Sequence, residues 1–416
     1  METTANAVPS WVHKLLRHRL VIVALVALVP TLWRVVGAPD PSDWRYFAFG
    51  AQVLSGGVSE VAPLSLYRDH PEVQIGPLAL LVSLPFSGLP LSWGAGVVAV
   101  LLTLVLPTCC WLLERTACGT ADVSLAVQAR TAIGGCLAGV YWWAVAADYP
   151  HPDDVLVVLA ACGALWAVRT DRASLAACLV AAAVACKPWA VALAPLLLAL
   201  PAPGRWKAVV TAPVLAALPW LPFVLAVPGT LDSLSHFRLD VWEASPLALL
   251  GLEHSQPIPG WLRTAQLAFA AALTCGAVAR GRWPLALMAV IAGRLALDPQ
   301  GLDYYFASFV VAALAADVLC GRGPVPWLTA ATALITFDAR WAITSPTGDA
   351  ALQLVPLVLF LIALWRPDHV PASRVPRPRS GADLGVRGLQ HGGVGPLQPR
   401  RAADAVQDHE PQERPA

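Results

Sequence analysis

Apolar residues in this chain come in long runs separated by short polar clusters, with almost none of the strict alternation that marks a half-buried strand. The runs fall at roughly 19–37, 92–113, 126–146, 154–169, 173–186, 189–201, 207–227, 261–279, 283–297, 304–320, 325–343 and 350–366. About twenty helical residues cross a bilayer, so these runs are of spanning or near-spanning length and predict about twelve crossings. The expected fold is all-α, a polytopic transmembrane helical bundle. One stretch, QIGPLALLVSLPFSGLP at 74–90, is apolar but short and proline-broken, and is expected to be re-entrant or half-inserted.

The polar clusters carry the rest of the pattern. In DPSDWRYFAFGAQVLSGG, Asp40 fits a helix N-cap, Pro41 the first helical position and Asp43 the third. Phe47, Gly50, Ala51 and Leu54 then recur at helical spacing, which predicts an apolar face lying on the membrane surface. Two loops, 37–77 and 228–261, are too short for soluble domains and are expected to carry such interfacial helices. Residues 1–366 form the membrane domain, and 367–416, rich in Pro, Arg, Gly and Gln, are expected to be a disordered cytoplasmic tail.

Composition agrees with the pattern. The 416 residues are 57% hydrophobic and only 13% charged, and the mean hydropathy is +0.61, well outside the soluble range. A net charge of +1 gives no case for a nucleic-acid partner. The placement of charge says more. With the N-terminus inside, the inner loops hold Lys14, Arg17, Arg19, Arg115, Arg130, Arg169, Arg172, Arg205, Lys207, Arg280, Arg282, Arg322 and Arg366, so each is basic. The outer loops then hold nearly all the acid and imidazole, which predicts a multi-pass protein of the cell membrane with an extracytoplasmic active face. The basic, then apolar N-terminus reads as an anchor rather than a cleaved leader, because Arg34 interrupts before a small-residue cleavage site. Nine cysteines include no CxxC pair and lie mostly in apolar runs, as small buried hydrophobes do.

Three further clusters are candidates for chemistry. AADYPHPDDVLVV brings Asp148, Tyr149, His151, Asp153 and Asp154 to an outer edge; Asp153 or Asp154 fits the N-cap of the next span, and Asp148 ends the preceding one. No HxxxH or comparable spacing is present, so no metal is assigned there. AVACKPWAVALAP puts Lys187 between two undersized apolar runs, where an ammonium is costly unless it snorkels or meets an anion such as a phosphate. RLALDPQGLDYYFASF brings Arg294, Asp298, Asp303, Tyr304 and Tyr305 to the same side. Neither GxxxxGK[ST] nor GxGxxG occurs, so no nucleotide cofactor is expected.

In their order, DWRYFAFGAQVLSGG, HPEVQIGPLALLVSLPF and CKPWAVALAPLLLAL resemble the C-type superfamily of membrane glycosyltransferases, most closely the polyprenyl-phosphate-mannose-dependent mannosyltransferases of actinobacterial envelope synthesis. The resemblance covers roughly residues 19–345 in arrangement. It implies a hexosyltransferase that moves a sugar, mannose by the resemblance, from a polyprenyl-phosphate donor to a lipid or glycan acceptor among the membrane lipids. It also implies that Asp43 is the catalytic base, with Asp40 its competitor, and that Lys187 matches the family lysine. Arg45 or Arg294 would assist Lys187 at the leaving phosphate, with Arg45, Arg294, His151 and Asp148 among the residues expected beside the substrate. Where related mannosyltransferases have a Gly-Gln pair this chain has HPDD. A secondary transporter, a lipid flippase or a non-catalytic envelope scaffold are the rival classes; the transporter predicts mid-membrane charges and matching halves.

Overall fold

The computed structural model describes residues 9–37, 43–338, 343 and 345–366. In chain order the α-helices are α1 (Ser10–Arg17), α2 (Arg19–Gly37), α3 (Trp44–Leu54), α4 (Leu66–Asp69), α5 (Pro77–Ser87), α6 (Leu91–Cys118), α7 (Leu125–Trp143), α8 (Pro152–Arg169), α9 (Ala173–Cys186), α10 (Gly204–Ala217), α11 (Leu221–Ala226), α12 (Thr230–His236), α13 (Pro246–Leu249), α14 (Leu262–Ala279), α15 (Ala286–Leu295), α16 (Asp303–Cys320), α17 (Trp327–Ala333), α18 (Pro346–Leu352) and α19 (Val355–Trp365). No strand occurs among the described residues; an isolated bridge joins Asp240 and Pro257. The all-α expectation holds. The expected tail, 367–416, and Asp40 both lie outside the described residues.

Each apolar run is largely helical over its described residues, but the expected twelve crossings are not confirmed. Among the described residues, five segments are long and apolar enough to cross a membrane: Arg19–Gly37, Leu91–Cys118, Leu262–Ala279, Asp303–Cys320 and Pro346–Trp365. Several others are too short. Pro77–Ser87 has 11 residues and Ala173–Cys186 has 14, against the roughly twenty a bilayer requires. Pro152–Arg169 is 18 residues long, but Asp153, Asp154 and Arg169 lie within it. Along α2, Val21, Leu25, Val29, Trp33 and Val36 form an exposed apolar stripe, the surface a lipid-facing helix presents.

The core is built on two helices that are buried all round. Every residue of α15 is buried, and so is every residue of α16 from Tyr304 to Val318. A helix apolar on all sides has to be enclosed by others, and α16 is enclosed by α7, α15 and α17, while α2 packs on α6 and α7, and α8 on α6 and α9. Arg19 pairs with Glu114 inside this packing, joining the start of α2 to α6.

The register at the first polar cluster differs from the expected one. Helix α3 starts at Trp44, so Asp43 is its N-cap rather than its third residue, and the side chain makes no capping hydrogen bond. Nor does the apolar face of α3 lie on the membrane. Phe47, Gly50 and Ala51 are buried with Trp44 and Val53, and the helix packs on α5. Its small residues permit that approach: a Cβ on Gly50 would fall 2.9 Å from Leu80 Cδ2.

Helix α5, the segment expected to be re-entrant, is tied directly to the end of α9. The Gly76 N–H donates to the Cys186 carbonyl at 2.9 Å, and a Cβ on Gly76 would fall 2.6 Å from the carbonyl carbon of Cys186. Only glycine allows that approach. Gly76→Ala is therefore expected to lower stability by roughly 1–3 kcal/mol through overpacking, read as thermal unfolding of the purified full chain; an unchanged melting temperature would show that α5 is free to move away from α9.

Candidate functional site

Four helix ends meet at one end of the core: the N-termini of α8 and α16 and the C-termini of α9 and α15. Their charged side chains form one connected network. At its centre are Asp153 and Asp154, in the first turn of α8 behind Pro152, where the positive end of the helix dipole favours carboxylates. Asp153 Oδ1 also accepts the Asp154 N–H at 2.8 Å. These acids are not N-caps as the sequence led one to expect; His151 holds that position.

Lys187 lies between the two carboxylates. Its ammonium is 2.9 Å from Asp153 Oδ2 and pairs at still closer range with Asp154 Oδ2, and both acid side chains are only 2% exposed. Local backbone explains its reach. Pro188 ends α9, so Lys187 takes an extended conformation (φ −151°, ψ 118°), and the chain continues as a 3₁₀ run, Pro188–Ala199. Pro195 within that run lacks an N–H for an α-helical bond.

Arg294, near the end of α15, extends the network: its Nη1 is 3.3 Å from Asp154 Oδ1 and its Nε 3.5 Å from Asp298 Oδ2. Its guanidinium lies 3.9 Å from the Tyr305 ring centre and 4.7 Å from that of Trp189. Asp298 is further held by the Gln300 N–H at 2.9 Å and by Gln266 Nε2 at 3.4 Å.

His151 links this buried set to Asp43. Its backbone N–H donates to Val145 in the π-helical turn Ala144–Asp148 that closes α7. Its ring stacks on Tyr304, with centroids 4.1 Å apart, and meets Phe47 edge-on. Nδ1 is 3.3 Å from Asp153 Oδ1 and Nε2 is 3.1 Å from Asp43 Oδ2. With a carboxylate at each ring nitrogen, only the doubly protonated imidazolium can donate to both. Burial pushes the His151 pKa down, but Asp153 and Asp43 hold it above its usual value. Asp43 is the open end of the network, its side chain 27% exposed.

Of the residues expected at the site, Asp43, His151, Lys187 and Arg294 are brought together. Arg45 is directed elsewhere: exposed, it lies 5.1 Å from the Tyr46 ring centre. Asp148 pairs with Arg34 across the end of α2, and Arg34 in turn stacks on Trp143. The premise that Lys187 is a lone ammonium does not survive, since two carboxylates already answer it. Sequence reading passed over Asp153 and Asp154 as its partners, although an ammonium in an otherwise apolar region demands an acid, and HPDD was the acidic pair at the same edge.

His151, Asp153 and Asp154 each offer a ligand atom within 4.8 Å of the others, a donor set that suits a hard or borderline divalent ion. The ammonium of Lys187 already occupies the space between the two carboxylates, so an ion bound by both would have to displace it. Beside the network, an apolar groove of about 390 Å³ runs between α5, α8 and α9, lined among others by Leu78, Val82, Leu156, Leu159, Leu179 and Cys186. Cys186, in its lining, is the residue before Lys187.

Compared with known proteins, the chain matches no family model, no curated protein and no solved structure.

Removing one member of a buried ion pair costs roughly 3–5 kcal/mol, because the other charge is left unanswered. Lys187→Met is expected to destabilise the purified protein by about that much, and Lys187→Met combined with Asp154→Asn to recover a large part of it. Thermal unfolding of the three proteins checks this, and a Lys187→Met protein that melts like wild type would remove the pair from the account of stability.

Proposed function

We propose that the chain is a membrane glycosyltransferase that moves a hexose from a polyprenyl-phosphate donor to a hydroxyl of a lipid or glycan acceptor, at the extracytoplasmic face of a bundle with about twelve crossings. The observation that carries this reading is the state of Asp43. It begins a helix without capping it, keeps a partly exposed carboxylate and is oriented by a histidine anchored on buried acids. That is the arrangement of a positioned general base.

In the proposed reaction the acceptor hydroxyl gives its proton to Asp43 as its oxygen bonds to the sugar C1. The bond from C1 to the phosphate oxygen breaks, and the electron pair leaves with the phosphate. A single displacement of this kind inverts the configuration at C1. His151 is a positioning residue, holding Asp43 Oδ2 and leaving the other oxygen for the proton. Lys187 and Arg294 are committed to Asp153, Asp154 and Asp298. Arg45, exposed and without a carboxylate partner among the described residues, is the cation we assign to the leaving phosphate. The apolar groove that Cys186 helps to line supports a lipid donor by offering room for part of its hydrocarbon. Mannose rests on the sequence resemblance alone.

A second reading has an observation in its favour. A connected chain of ionisable groups from Asp43 to Asp298, buried among apolar helices, is also what a proton-coupled transporter requires.

The test is transfer of labelled hexose from a set of polyprenyl-phosphate sugars, in parallel with solute and proton uptake by the same proteoliposomes. Asp43→Asn is expected to lower turnover by about a hundredfold or more while the protein inserts normally, and His151→Gln to lower kcat with little change in KM. Proton-linked uptake lost in Asp43→Asn, with no transfer from any donor, would replace the enzyme by the transporter.

A further inference from the structure

The other end of the core carries a second polar cavity, which the proposed chemistry does not use. It has a volume of about 60 Å³ and is lined by Arg282, Arg322, Arg366 and Asp317, among others. At about 10–15 Å³ for each water position, that is room for about four to six non-hydrogen atoms, a range that includes the five of one phosphate group.

Charge and packing both bear on what it holds. The lining is rich in arginine, and its carboxylate among the described residues is already engaged: Asp317 accepts from the Thr329 N–H and hydroxyl at 2.8 Å each and from the Leu328 N–H at 3.3 Å, holding the start of α17. Arg282 secures the end of α19, donating to the carbonyls of Ala363, at 2.6 Å, and Arg366. Arg322 and the Arg366 side chain are exposed, with no hydrogen-bond or ion-pair partner among the described residues. Around the cavity, Trp327 and Trp365 are 67% and 65% exposed, and Arg280 stacks on Trp365 with 3.8 Å to the ring centre. Exposed tryptophans beside arginines mark the level of lipid headgroups.

The cavity is far from Asp43. It adjoins the C-terminus of α16, whose N-terminus supplies Tyr304 to the charged network, and 18 helical residues separate the two ends by about 27 Å.

We propose that this cavity binds the phosphate of an anionic phospholipid, in the leaflet to which the arginine-rich loops are expected to face. Such a leaflet is rich in anionic lipid, and each arginine near the surface contributes about fivefold in affinity. A lipid seated there joins the loop after α16 to the end of α19. The inference does not depend on the enzyme reading, since it concerns the opposite end of the bundle.

The test uses the full chain in neutral detergent, titrated separately with phosphatidylglycerol, with phosphatidylcholine of the same acyl chains and with inorganic phosphate, followed by thermal unfolding and native mass spectrometry. Wild type is expected to be stabilised by phosphatidylglycerol at concentrations at least about tenfold below those needed of phosphatidylcholine, and not by inorganic phosphate at the same concentrations. Arg322→Gln is expected to weaken phosphatidylglycerol binding about fivefold, and Arg322→Gln with Arg366→Gln about twenty-five-fold. Melting in phosphatidylcholine shows whether each variant is folded, and the single exposed-loop variant keeps the location testable if the double one is not. Equal response to the two lipids, an equal response to inorganic phosphate, or undiminished phosphatidylglycerol binding by a folded Arg322→Gln protein would each overturn the proposal.

Discussion

The ammonium of Lys187, held between Asp153 and Asp154, is the contact on which the arrangement of this bundle turns. Moving an ion out of water costs several kcal/mol even after relaxation, and the interior here is almost wholly hydrocarbon. Every charge brought inside must therefore arrive with its answer. Four carboxylates, those of Asp43, Asp153, Asp154 and Asp298, meet one ammonium, one guanidinium and, with both ring nitrogens donating, one imidazolium. Four against three leaves one negative charge, and the acid with the most solvent to support it is Asp43. The open end of the buried network is thus a carboxylate that meets solvent, unlike the sealed pairs behind it.

The backbone is irregular where those charges sit. Helix α7 closes through a π-helical turn, Ala144–Asp148, and the chain from Tyr149 to His151 is non-helical; thirty-six residues after His151, Lys187 breaks α9 from a long 3₁₀ run. π-helical turns concentrate at functional sites, and 3₁₀ runs longer than three or four residues are uncommon. Away from water, non-helical backbone is tolerated only where other polar groups meet it. Here Val145 accepts the His151 N–H, Cys186 accepts that of Gly76, and Ala183 accepts that of Lys187. The breaks turn side chains that regular helices would present to lipid toward one another.

The helical class was legible in the sequence because an apolar run of this composition has few other folds open to it, and each run is largely helical over its described residues. The number of crossings was not, because hydropathy registers apolarity and not whether a segment faces lipid or protein: α15, buried at every residue, reads as apolar as the largely exposed α2. Helix α3 shows the same confusion on a smaller scale. Its periodic face was correctly located at Phe47, Gly50 and Ala51, yet a hydrophobic face does not say what it packs on, and α5 took the place assigned to the membrane. At the site, the residue types were readable but the pairings were not. Lys187 and Asp154 are 33 positions apart, and His151 and Asp43 are 108 apart; nothing local to either segment encodes that they meet.

Those pairings change the chemistry that can be asked of each residue. An ammonium fixed between two acids that are nearly sealed from solvent presents little net positive field to an incoming phosphate, because at any distance beyond the cluster the carboxylates cancel or exceed it. Lys187 therefore cannot draw a donor's phosphate while its partners hold it, and releasing it would strand both acids. Its contacts run instead through Asp153 to His151 and from there to Asp43, so under the proposed reaction a cation with no contact to the reacting atoms still sets where the base points. In the proposed reaction, recognition of the phosphate falls to a group outside this balance. Arg45 is two residues beyond Asp43, on the helix that Asp43 begins, and is exposed, with its guanidinium over the Tyr46 ring. Placing the base inside the network and the phosphate's partner outside it lets one short helix serve both demands, and the burial of the other charges is what separates them.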